Sequence, residues 1–346
     1  MTEKNPKGLK RFKLLAASGS YLSKAYRVAL APLLTATRPE VSARAPDDHR
    51  GRILDDAAHL MRLWRRRVNL LASHGLPALQ DPERYVQAVN CPPVGVATNH
   101  RRIWGCNNRL VCPWCWCRQY VRENYWRLDK ALFNHQPTDV PLPYSLVLVR
   151  TDRHYPVIDG AWSPAQVLGA FVQRSKGLYY QHRMQNALGG TVLCSVEPPR
   201  PGVDNPCWTV RQRILAVVRE DDTDDYYLEP DLGQEPEDFG AWATRTAERI
   251  QFPRRAAMAG AIGKFAEYPS LMLTGGLKNT IAVCNAYSPV VSRTSSGKIA
   301  KKGGLRLSAV YGILRGKLKI PYEDHDQIPL KSMESSYDLS TEKSVG

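Results

Sequence analysis

The sequence predicts an α+β protein in which helices pack on one face of an antiparallel sheet. Three observations predict it. Short β-rich runs alternate with amphipathic helical stretches, two of those runs are joined by the turn-rich "PPRPGVDNP", and no internal repeat interrupts the pattern. With 346 residues and 43% hydrophobic content, the chain can bury one large core or two modest ones.

Residues 1–50 read as a flexible basic N-terminal region that runs out in the Pro- and charge-rich "TRPEVSARAPDDHRGR". Residues 51–135 read as a helical segment with a cysteine cluster. Its first helix, from Ile53, has apolar residues at helical spacing, acids in the first turn and Gly75 after the last. "RLWRRRV" sets four Arg within six positions, mostly on its exposed arc, as a solvated face or a DNA contact. "RQYVRENYWRLDKALF" makes a second amphipathic helix. Residues 140–321 form the α+β domain. Strands are expected at 144–150, 191–197 and 208–218, with a helix from Ser163 as N-cap and Pro164 at the first helical position. An acidic loop follows. "AWATRTAERIQ" and "AAMAGAIGKFAEY" read as helices, "KNTIAVCNAYSPVV" as a strand, and "GGLRLSAVYGILRGKLKI" closes the domain. Residues 322–346 lack apolar periodicity and read as a disordered tail.

No run of eighteen apolar residues is present, so no membrane span is expected. The N-terminal apolar stretches are broken by Lys and Arg, unlike a signal peptide, and a cytoplasmic protein is expected. There the eight Cys stay reduced, which argues against a disulfide framework. The 48 Lys plus Arg exceed the 33 Asp plus Glu, a net +15. Such an excess serves a polyanion, with nucleic acid ahead of anionic lipid.

"CNNRLVCPWCWCRQ" puts four Cys into residues 106–117. Cys112 and Cys115 form a C-x-x-C turn, whose spacing lets two thiolates meet one tetrahedral ion. Cys91, Cys106, Cys112 and Cys115 would complete an all-thiolate zinc site of zinc-ribbon-like shape, with Cys117 and His100 as alternate ligands. A redox pair is the competing reading of "CPWC", but no strand directly precedes it.

In motif order the chain resembles rolling-circle replication initiators of bacterial plasmids, in the HUH endonuclease superfamily. Cys91 precedes "CNNRLVCPWC", "SLVLVRTDR" matches a strand of "LTLTVR" type, "LCSVEPP" matches a "SLEV"-like strand, and "RLSAVYGILR" a late strand. The resemblance implies an HUH-type sheet, origin or single-stranded DNA as partner, and a host helicase. It also implies transesterification by a tyrosine, with Mg2+ or Mn2+ wherever nicking is retained. Two motifs depart from the pattern. The strand that should carry His-hydrophobic-His reads Arg211-Gln212-Arg213, and guanidinium cannot ligate a metal. "KYxxK" becomes "KFAEY", so Phe265 replaces the nucleophilic tyrosine and Tyr268, one turn on, stands as the default candidate. Arg211, Arg213 and Lys264 are then expected to bind DNA, the two Arg facing residues 264–268. Lost nicking, retained nicking through Tyr268, and a non-catalytic DNA-binding regulator are the three outcomes this pattern allows.

Overall fold

The computed structural model describes residues 6–37, 49–91, 106, 108–134, 143–157, 163, 165–167, 169, 187–200, 202, 204–219, 242–287, 290–293, 299–302 and 308–315. They fall into two compact units, one drawn from residues 1–33 with 117–319 and the other from 34–116. The division falls at 116/117, inside the expected helical segment, because the helix after the cysteines packs against residues 255–265, which in turn lie on the sheet. The acidic loop and the tail lie outside the described residues.

The larger unit is built on a five-stranded antiparallel sheet of order β4-β1-β3-β2-β7. Its strands are β1 (Tyr144–Pro156), β2 (Gly189–Glu197), β3 (Cys207–Arg219), β4 (Trp242–Gln251) and β7 (Ser308–Gly312); β5 (Val290–Arg293) and β6 (Ile299–Lys302) form a separate pair. The register places Leu148 opposite Leu215 and Asp152 opposite Arg211. At the level of Leu146–Val149 both faces of β1 are buried. A strand covered on both sides needs no polar alternation, which is why this stretch reads as a continuous apolar run. Toward the Pro156 end one face turns charged: Arg150, Asp152 and His154 on β1 align with Arg213, Arg211 and Thr209 on β3.

Two elements exchange type. Residues 242–251, expected as a helix, form edge strand β4, whose Ala, Arg and Glu favour a helix until pairing along β1 overrides propensity. The stretch 278–291, expected as a strand, is mostly a helix (Leu277–Tyr287), and only its last two residues enter β5.

The N-terminal region also differs from expectation. Residues Pro6–Thr37 form one long helix, α1, in place of a flexible arm. Leu22, Ala25, Ala29 and Leu33 recur every three to four residues and are buried. They pack where Gly263 allows close approach, since a Cβ there would lie 2.5 Å from Val28 Cβ and 2.7 Å from the Ala25 carbonyl oxygen. Pro32 lies inside α1 and disturbs its hydrogen-bond ladder. One turn earlier, the Ala29 carbonyl accepts a 2.8 Å bond from the Tyr268 backbone N–H.

In the smaller unit, α2 (His49–Ser73) buries Leu60, Trp64, Val68 and Leu71 on one stripe and ends before Gly75 in the left-handed region. Arg62, Arg65 and Arg66 are exposed on the opposite arc. Trp64 Nε1 donates to the Ala88 carbonyl at 2.8 Å, which ties α2 to α3 (Pro82–Val89). Asp81 caps α3 by accepting from the Glu83 and Arg84 N–H groups, with Pro82 at the first position. No helix among the described residues is long and apolar enough to cross a membrane.

Candidate functional site

The cysteine cluster is assembled by short-range geometry. Cys91 leaves α3 with its N–H bonded to the Ala88 carbonyl. The N–H of Cys112 bonds to the Asn108 carbonyl, and the carbonyl of Cys112 accepts from Trp116 N–H, closing the helical turn α4 (Pro113–Trp116). Proline suits the first position of that turn, where no amide proton is needed. The Sγ atoms then lie 3.7 Å apart for Cys91–Cys115, 3.6 Å for Cys106–Cys115 and 3.6 Å for Cys112–Cys91. All four ligand atoms fall within 4.8 Å of one another.

These separations discriminate between bonding modes. A disulfide needs sulfurs about 2.05 Å apart, and all these cysteines are free. A tetrahedral zinc with Zn–S bonds of about 2.3 Å sets its sulfurs roughly 3.8 Å apart, so the cluster is compatible with a structural zinc. Burial, reinforced by the neighbouring thiols, pushes the Cys112 thiol well above the ordinary range. A bound divalent cation reverses that balance, because coordinated thiols lose their protons.

The four expected ligands are the four that meet. Cys117, the alternate, is buried outside the group, at the start of the π-helical stretch Cys117–Arg122 that leads into α5 (Glu123–Phe133). His100 lies outside the described residues. Cys115 lies in the helical turn α4 and Cys112 immediately precedes it, whereas residues 92–105, on which the expected zinc-ribbon shape also depends, lie outside the described residues.

The second constellation lies on the charged end of the sheet face. Arg211 Nη2 sits 3.0 Å from Glu197, its Nη1 3.2 Å from Glu267, and its Nε 3.9 Å from Asp152. Arg213 is ion-paired to Asp152 and is almost fully buried. Lys264, near the end of helix α6 (Arg255–Phe265), holds both oxygens of Glu248 at 2.7 Å. Burial raises the Glu197 carboxyl above its ordinary range and the Arg211 guanidinium opposes that rise. One Glu197 oxygen has no hydrogen-bond partner, in keeping with a carboxylate under desolvation stress.

Arg211, Arg213 and Lys264, expected to bind DNA, are each paired with carboxylates of the chain itself. Two neighbouring guanidiniums in a poorly solvated site need counter-charge, and carboxylates of the chain itself supply it. Arg211 does lie against the 264–268 segment, through Glu267. Tyr268 is fully buried, as is Phe265. A phenol held in the core cannot reach a phosphodiester in this conformation, so Tyr268 is a core residue here and not an accessible nucleophile. Among the described residues the cysteine group is the one cluster of three or more metal-ligating side chains.

Sequence reasoning missed Asp152, Glu197 and Glu267. The signal was available in part, because a pair of Arg on one buried strand face demands acids nearby. Which acids depends on the β1–β3–β2 register, with Arg211 between Asp152 and Ser195. Comparison with family models, curated proteins and solved structures finds no match.

Proposed function

We propose that this chain is a DNA-binding replication protein of plasmid or phage type, related to rolling-circle initiators, that has lost strand nicking. The observation that carries the loss is the centre of the sheet. The positions where imidazoles would hold a metal carry Arg211 and Arg213, both neutralised by acids, and the candidate nucleophile Tyr268 is buried. The net +15 supports DNA as the partner, and a structural zinc on Cys91, Cys106, Cys112 and Cys115 shapes the N-terminal module. A bacterial cytoplasmic location and a host helicase belong to the same reading.

The test is incubation with supercoiled plasmid carrying its origin, with Mn2+ present. Retarded DNA without relaxation or covalent protein is the expected result, with log K falling by roughly 0.9 per neutralised phosphate against log salt. Protein linked to a 5' end, abolished by Tyr268→Phe, would restore the nickase reading. A non-catalytic regulator of replication or transcription also binds without cutting. Loss of plasmid maintenance on deletion separates the replication protein from it.

A further inference from the structure

We infer that the cleft beside Trp242, at the Pro156 end of the sheet, is a slot for one unpaired base of single-stranded DNA; this rests on the DNA-binding reading above. Trp242 opens edge strand β4 and is 45% exposed, whereas the large apolar side chains at the centre of the sheet are buried. Its indole stacks on His154 with centroids 5.1 Å apart and planes 24° from parallel. The ring is therefore held in place yet open to solvent. It lines an open cleft of ≈ 280 Å³ together with Pro156, Val157, Pro206, Asp204 and Asn205.

Size and chemistry narrow the occupant. Pockets for drug-sized ligands begin at about 300 Å³, so this cleft suits a single ring system. Flat apolar surfaces from Trp242, Pro156 and Pro206 suit a planar heteroaromatic ring. Beside them, the Asp204 carboxylate accepts from an exocyclic amine, and the Asn205 amide both donates and accepts. The cation needed for the flanking phosphate is at the same end. Glu197 pairs with Thr209, so β2 leaves the sheet beside the start of β3 and runs directly to exposed Arg200. Stacking on an aromatic platform with a basic flank is how single strands are held without duplex geometry.

The test uses the full chain and fluorescence anisotropy on labelled homopolymeric oligonucleotides, with duplex DNA and single-stranded RNA as parallel arms. Trp242→Ala should weaken single-stranded DNA binding roughly ten-fold, leaving duplex affinity and thermal unfolding unchanged. Trp242→Phe should restore most of the loss. Asp204→Asn should reduce preference for oligo-dC and oligo-dA over oligo-dT. Photo-crosslinking of a halouracil-substituted oligonucleotide should tag the peptide holding Trp242, a readout independent of the variants. Unchanged binding by Trp242→Ala, equal weakening on duplex, or crosslinks elsewhere would overturn the slot while DNA binding stands. A larger loss on RNA would overturn the DNA assignment. If the wild-type chain binds no nucleic acid at all, the broader reading fails together with the slot.

Discussion

At the cysteine block four sulfurs converge within 4.8 Å of one another, whereas on the sheet three carboxylates converge on the guanidinium of Arg211. Both regions crowd ligands of one kind around a centre. The sheet carries its own cations, covalently fixed in Arg211 and Arg213, so its charge balance needs no ion from solution. Under the proposed zinc assignment the cysteine block recruits its cation from solution, which would make its stability a function of metal supply. A permanent guanidinium cannot exchange, polarise a water or leave. A recruited ion can be removed and replaced.

The largest expected effect breaks the cysteine side of this contrast. Structural zinc supplies roughly 10–16 kcal/mol of apparent binding free energy at neutral pH, most of it realised as folding. Cys112→Ser, or a strong chelator, should therefore unfold the 34–116 unit, with bound zinc falling from about one equivalent per chain to none. Metal analysis and limited proteolysis read this directly. Retained protease resistance in metal-free protein would assign the cluster to ordinary core packing.

A buried ion pair away from both clusters calibrates the sheet unit. Arg255 holds Asp129 at 2.8 Å, both are essentially inaccessible, and the guanidinium lies 4.4 Å from the Phe133 ring centroid. Asp129→Asn removes the carboxylate charge beside that buried guanidinium, at a cost of roughly 3–5 kcal/mol. Denaturant titration should show a lower midpoint with an unchanged slope.

Arg211→Gln tests the built-in cation itself. With about one-fifth of its side chain exposed, its loss should cost about 2–4 kcal/mol, less than for a dry pair. The pH dependence carries the sign. Glu197 already has a raised carboxyl in the folded state, so the folded chain binds that proton more tightly than the unfolded one. Stability from this group is full at acid pH and declines as pH rises from the ordinary carboxylate range through the higher folded value. Removing Arg211 raises that value further. The variant's deficit should thus be larger at pH 7.5 than at pH 5, and an equal deficit at both would discount Glu197.

The smallest effect sharpens the metal dependence. Asp81 caps α3 just upstream of Cys91, and Asp81→Ala should cost about 1 kcal/mol. That loss should register in zinc-loaded protein and vanish in chelated protein, where the helix has no folded unit to stabilise.

The sequence made β1, β2 and β3 legible because each is a β-rich run bounded by turn residues. The four converging cysteines were legible from the C-x-x-C spacing and its neighbours, while Cys117 could be kept only as an alternate. Cys117 follows Cys115 by two residues, and only the backbone path through α4 decides where its sulfur goes. Trp242–Gln251 and Leu277–Tyr287 were misread because local preference points the wrong way in each. Thr280, Ile281 and Val283 are β-branched yet helical, and Thr280 Oγ1 bonds back to the Gly276 carbonyl at 3.1 Å. The acid ring around Arg211 was invisible because it is a property of strand register and not of any segment.

The contact between Val28 and Gly263 also has a consequence for biosynthesis. At roughly 5–20 residues per second, about 10–50 s separate the emergence of α1 from the ribosome and that of the glycine it packs against. Throughout that interval the Leu22, Ala25, Ala29 and Leu33 stripe has no partner from α6 and must stay unaggregated. A bulkier side chain at 263 would prolong that wait indefinitely, since the helix would have no surface to close on. Truncated nascent chains should accordingly keep α1 open to protease until residues beyond 263 have cleared the exit tunnel, and close it afterwards.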